Sequence, residues 1–187
     1  MTTTSSIRRV VGAFLEREAS HKYGCLYAPL PKKLADTIHA WGRDNVVDDV
    51  LFFFPEGDGG REKDIHVTVK YGFHSNDATA LQRFITAHPM PLKATLGNVT
   101  TFDQKDHQVI KIDVVSEDLS RLHRMVTDEF ETTDTHPVYI PHVTIAYVKA
   151  GNGSRYIGRG DFKNEPIEFD KLVFTGSDDR TTTINLG

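Results

Sequence analysis

The sequence lacks the features that mark several large classes of protein. It has one cysteine, Cys25, in 187 residues. No internal disulfide can form and no thiolate cluster can hold a metal, which fits a reducing compartment such as the cytoplasm. Cys25 lies in an apolar run and reads as a small buried hydrophobe. No stretch approaches the roughly 18 apolar residues of a membrane-spanning helix. A basic excess is missing too: 22 Lys and Arg stand against 26 Asp and Glu, a net charge of −4. Tight binding of long nucleic acid usually needs a basic face, so the balance argues against a long polyanion as partner and leaves room for a small one. Residues 1–6 are polar and residues 7–15 are broken by Arg8 and Arg9. The N-terminus therefore reads as a short amphipathic helix, not a secretory signal.

What is present is an ordinary globular pattern. Residues 23–28 read as a strand. Leu30-Pro31 opens a helix with Leu34, Ile38 and Trp41 on one face, ended by Gly42. Residues 50–54 form a short apolar run that reads as a strand, and the Gly-rich, charged residues 55–64 read as the most mobile loop. A strand over 65–73 and a helix capped by Asn76 or Asp77 follow. The pattern then recurs. Residues 92–102 and 108–115 read as paired strands, Ser116 caps a helix striped by Leu119, Leu122, Val126 and Phe130, and residues 140–148 form a strand. Strands over 167–175 and 181–186 close the chain. Lys149, Arg155, Arg159 and Lys163 share one Gly-containing stretch, either a solvated loop or one that attracts phosphate. The expected fold is α+β and bilobal, with duplicated strand-helix-strand lobes around a groove. The expected layout is an N-terminal extension over 1–21 and one two-lobed domain over 22–187.

Two strands carry the chemistry. One reads His66-Val67-Thr68-Val69-Lys70-Tyr71, the other His142-Val143-Thr144-Ile145-Ala146-Tyr147. The second follows 76 positions after the first (142 less 66). Strand side chains alternate faces. His66, Thr68 and Lys70 should therefore share one face, and Val67, Val69 and Tyr71 the apolar other. His142, Thr144 and Ala146 should oppose Val143, Ile145 and Tyr147 in the same way. Along a strand His and Thr stand about 7 Å apart at roughly 3.3 Å per residue, which suits a phosphate between them. Two imidazoles with ordinary pKa values near 6.5 can divide the work, one neutral as base and one protonated as acid. Threonine hydroxyls can hold the non-bridging oxygens. Each strand has one His followed by Thr, a poor metal ligand, so neither metal nor other cofactor is expected. Of the remaining histidines, His74 and His136 lie nearest the motifs.

The two tetrapeptides His66-Val67-Thr68-Val69 and His142-Val143-Thr144-Ile145 resemble the paired His-x-Thr signature of the 2H phosphoesterase superfamily, which includes 2′-5′ RNA ligase-like proteins and cyclic phosphodiesterases. The strand and Leu-Pro-initiated helix of residues 27–41 occupy that family's usual opening position, and the resemblance runs from about residue 23 to the end. It implies a bilobal α+β fold with a central groove, His66 and His142 as acid and base in an order it does not fix, and Thr68 and Thr144 as phosphate ligands. The stretch of residues 139–149 is similar to phage and prophage members, some of which cleave the cyclic oligonucleotides of bacterial antiviral signalling. For a phage-encoded member the place of action would be the host cytoplasm.

The expected activity is thus metal-independent hydrolysis of a small nucleotide phosphodiester, cyclic or 2′-5′/3′-5′-linked. A non-catalytic nucleotide-binding module is the alternative from another class, and RNA-end processing or ligation is a third. The expected partner is a small nucleotide, with the oligomeric state left open. Aromatic faces stack on bases, and Tyr23, Tyr27, Phe73, Tyr139 and Phe102 are the candidates. Lys70, on the motif's polar face, is the electrostatic candidate. Alternation assigns Tyr71 and Tyr147 to the core.

Overall fold

A computed structural model describes residues 23–55, 59–134, 136 and 138–187. The helical extension expected over residues 1–21 lies outside the described residues. The elements are β1 (Gly24–Pro29), α1 (Lys32–Asn45), β2 (His66–Phe73), α2 (Thr79–Ala87), β3 (Lys93–Asp103), β4 (His107–Val115), α3 (Glu117–Glu129), β5 (His142–Lys149), β6 (Pro166–Glu168), β7 (Lys171–Thr175) and β8 (Thr181–Asn185). The fold is α+β, as the pattern of the sequence implied.

All strands join one antiparallel sheet in the order β6-β3-β4-β5-β2-β1-β7-β8. The order reads outward from its centre as two equivalent halves, β5-β4-β3-β6 and β2-β1-β7-β8. The halves meet at a single bridge, Val67 to Val143. Helices cover one face, where Leu26, Val67, Val69, Val143 and Ile145 join Ile38 of α1 and Leu119 and Val126 of α3 in the main core. The other face carries two smaller apolar clusters. One holds Cys25 and Tyr27 with Tyr71 and Val173 packed on them. The second holds Val109 and Tyr147 with Phe52, Phe54 and Phe102.

Local chemistry explains most element boundaries. In α1, Ile38 and Trp41 are buried and Leu34 packs on the core beside them. The helix does not stop at Gly42 but runs to Asn45. The glycine serves close packing instead, since a Cβ there would lie 3.1 Å from Ile145 Cγ2. Ser116 caps α3, its Oγ accepting the Leu119 N–H at 3.0 Å. Residues 50–54 form no strand; Leu51 and Phe53 make isolated bridges. The run expected as one strand over 167–175 is two, because β6 pairs with β3 at one sheet edge while β7 pairs with β1 in the other half.

The segments before β2 and β5 cross over to the opposite central strand. Glu62 N–H donates to Ile145 O at 2.8 Å and Tyr147 N–H to Gly60 O at 2.7 Å. In the other direction Thr133 N–H donates to Gly72 O at 2.9 Å, and Tyr139 Oη–H donates to Thr68 O at 2.9 Å. The described part of the loop expected to be mobile is thus tied to β5.

Candidate active site

The central bridge sets the site. Antiparallel partners step in opposite directions, so the residues flanking Val67 and Val143 place His66 across from Thr144 and Thr68 across from His142. Both valines point into the helix-covered core, and the four flanking side chains therefore point to the open face. The two histidines occupy diagonal corners of a square roughly 5 Å across strands and about 7 Å along them. Both imidazoles are held by the same device. His66 Nδ1–H donates to Asp64 O at 2.5 Å, and His142 Nδ1–H donates to Ile140 O at 2.7 Å. A carbonyl can only accept, so in the neutral ring Nδ1 carries the proton and Nε2 keeps its lone pair.

Alternation fails just beyond each motif, at the same place. Leu26 faces Lys70 while Tyr27 faces Thr68, leaving Val69 as an extra residue. Ile110 faces Ala146 while Lys111 faces Thr144, leaving Ile145 extra. These matched bulges reverse the faces that follow. Tyr71 and Tyr147, expected in the core, join the open-face clusters. Lys70, expected beside His66, turns under α3 instead. It is buried, it ion-pairs with Asp134, and its charge reaches His123 of α3. Phe73 is also displaced, because Gly72 at φ 113° breaks the alternation once more. Its ring packs between Phe130 and Phe174 in the core. Tyr139 stacks on His123 at 4.1 Å on the helix side, so it anchors a cross-over segment and does not line the groove.

Three expected aromatics, Tyr27, Tyr23 and Phe102, are on the open face. Tyr27 is buried with its ring 4.9 Å from His66. Tyr23 stacks on His74 at 5.4 Å and meets Tyr71 edge-on. In the other half Phe102 meets His142 edge-on at 4.9 Å. The register makes Lys111 the counterpart of Tyr27, each facing the motif threonine of its own half. Lys111 is buried, donates to Thr100 Oγ1 at 2.7 Å, pairs with Asp113 and lies over the Phe102 ring. Sequence reasoning missed it. The available signal was a Lys and an Asp at alternate positions of the otherwise apolar run over 109–115. Two cations of the basic stretch over 149–163 are engaged within the fold: Lys149 donates to Asp49 O, and Arg159 donates to Asp161 and to Asn45 Oδ1.

Burial dominates the electrostatics. It pushes His142 down to about 4, against the bond to Ile140 and with help from the charges of Lys111, His66 and His136. Burial also lowers His66, against its bond to Asp64. Both rings are therefore neutral near pH 7, and an anion between them would restore a proton to one. Burial drives the Cys25 thiol up to about 12 and the Tyr27 hydroxyl likewise to about 12, so neither is a nucleophile at neutral pH. Among the described residues no group of three or more His, Cys, Asp or Glu is placed to hold a metal ion. No helix among them is long and apolar enough to cross a membrane.

The model of the 2′-5′ RNA ligase superfamily matches residues 53–170, which contain both motifs. The chain belongs to that superfamily. It is an enzyme of the two-histidine phosphoesterase type. Solved structures share the fold at low identity. Escherichia coli LigT complexed with 3′-AMP is 14% identical with a TM-score of 0.58, covering 88% of this chain and 94% of that one. Kluyveromyces marxianus Usb1 with uridine monophosphate is 12% identical with a TM-score of 0.51, covering 87% and 97%. A crystal structure of a phosphoesterase is 14% identical with a TM-score of 0.54, covering 88% and 95%. No curated protein matches the chain.

Proposed function

We propose that the protein hydrolyses a phosphodiester in a small nucleotide, cyclic or 2′-5′/3′-5′-linked, without a metal. The carrying observation is the register that sets two Nδ1-anchored imidazoles diagonally across one square with a threonine beside each. A phosphate in the square is held by Thr68 and Thr144. The neutral histidine accepts at Nε2 the proton of the attacking water. The other, protonated under the influence of the bound anion, gives its Nε2 proton to the leaving oxygen as the bond from phosphorus to that oxygen breaks. The threonine hydroxyls stabilise the charge that builds on the non-bridging oxygens.

The flanks favour a nucleotide. Tyr27 lies beside His66 and Phe102 beside His142, so each side of the phosphate has an aromatic face for a base. A small ligand suits the net charge of −4, and Lys111, a buried cation of the groove, is already paired with Asp113. Action in a cytoplasm on a cyclic oligonucleotide messenger of antiviral signalling, by a phage-encoded protein, is the narrower form of this reading. Incubation in EDTA with cyclic di- and trinucleotides, 2′,3′-cyclic nucleotides and 2′-5′ oligoadenylates, read by mass spectrometry, tests it. The expected result is an opened or shortened product from at least one class. Turnover of none, or turnover abolished by EDTA, contradicts it.

A further inference from the structure

Glu62 precedes the first motif and has no counterpart before the second. It is 2% exposed. Its Oε1 accepts the N–H groups of Lys63 at 3.0 Å and Asp64 at 3.3 Å, while its buried Oε2 has no partner among the described residues. A carboxyl left half-satisfied inside a protein costs stability, so its place calls for a reason. The turn it closes ends at Asp64, whose carbonyl receives the His66 Nδ1–H at 2.5 Å. Its own N–H donates to Ile145 O, at the bulge of the second motif. Glu62 therefore ties the turn that aims one histidine to the strand that bears the other.

We infer that Glu62 is a positioning residue for His66: its side chain fixes the 62–64 turn so that the Asp64 carbonyl holds the imidazole in the Nδ1–H form with Nε2 toward the phosphate. His142 needs no such group, because its carbonyl partner Ile140 is followed by Pro141, whose ring stiffens the backbone. The titratable and charged groups around the turn and His66 are Asp64, Lys63, His39, Tyr27 and, across the square, His142. Burial pushes the Glu62 carboxyl up to about 7, against its two backbone hydrogen bonds. It is thus partly protonated at neutral pH, and an amide that keeps the acceptor oxygen is a fair substitute.

The inference rests on the proposed phosphodiesterase reading, but one readout is independent of activity. Long-range proton–nitrogen spectra of the full chain report the tautomer of each imidazole in wild type, E62Q and E62M. In E62M, which fills the space without a comparable acceptor, His66 should become a mixture of tautomers while His142 stays Nδ1–H. Loss of positioning should lower kcat about ten- to a hundredfold with KM within about twofold, and E62Q should restore most of it. An unchanged His66 tautomer in E62M, an equal change at both histidines, or an E62Q as damaged as E62M overturns the inference. E62A takes the place of E62M if that variant does not fold. If neither folds while E62Q does, Glu62 serves folding and the inference fails. A wild type that turns over no nucleotide defeats the functional reading alone, since the tautomers still decide this one.

Discussion

His66 and His142 sit at neutral pH without their second protons, and burial is the main cause. A base is thereby ready, while the acid must be made by the substrate, whose negative charge favours the imidazolium. NMR titration of the free protein should place the His142 midpoint near 4 and that of His66 below the ordinary value. Adding AMP should raise at least one of them, and midpoints that ignore it would argue against a phosphate between the rings. Stability carries the same signature. Both folded pKa values lie below the unfolded value of about 6.5, so the unfolded chain binds more protons as pH falls. The contribution is fully present above about pH 6.5 and is lost towards pH 4. Glu62, raised to about 7, acts in the opposite sense over the same window, so the histidine signature is read as a difference: between about pH 6.5 and 4 the melting temperature of wild type should fall relative to that of H142A, which has one such group fewer.

The element that decides which residues reach the groove is the extra residue in each central strand, Val69 or Ile145. A bulge leaves composition and hydropathy unchanged, so nothing in the sequence announced it, and strict alternation put Lys70, Tyr71 and Tyr147 on the wrong faces. His66, Thr68, His142 and Thr144 were legible because they lie before the bulges. Gly72 is the one visible punctuation. Its φ of 113° belongs to glycine, and a Cβ there would lie 2.1 Å from Thr133 O. Gly72→Ala must strain its own backbone and displace the segment leading to His142, which should cost about 3 kcal/mol. Chemical denaturation checks this, and a loss below about 1 kcal/mol would mean that the strand does not need the left-handed residue.

At the scale of the whole molecule, the duplicated motif was the trace of a pseudo-twofold sheet, β6-β3-β4-β5 against β8-β7-β1-β2. The strand patterns and the Ser116 cap were readable because local periodicity and hydrogen bonding fix them. The division of residues 166–175 into strands of different halves was not, because strand pairing partners are set by the global topology. Nor was the unequal furnishing of the halves, Lys111 facing Thr144 where Tyr27 faces Thr68, since it depends on register. The two histidines remain the equivalent points around which the halves differ, and one measurement bears on them most directly. For the substrate best cleaved by wild type, kcat/KM is determined in EDTA for H66A and H142A, with folding checked by circular dichroism. Each substitution should lower kcat/KM by about a hundredfold or more, the scale of a lost acid or base. A folded variant of either kind with near-normal kcat/KM would contradict the two-histidine account.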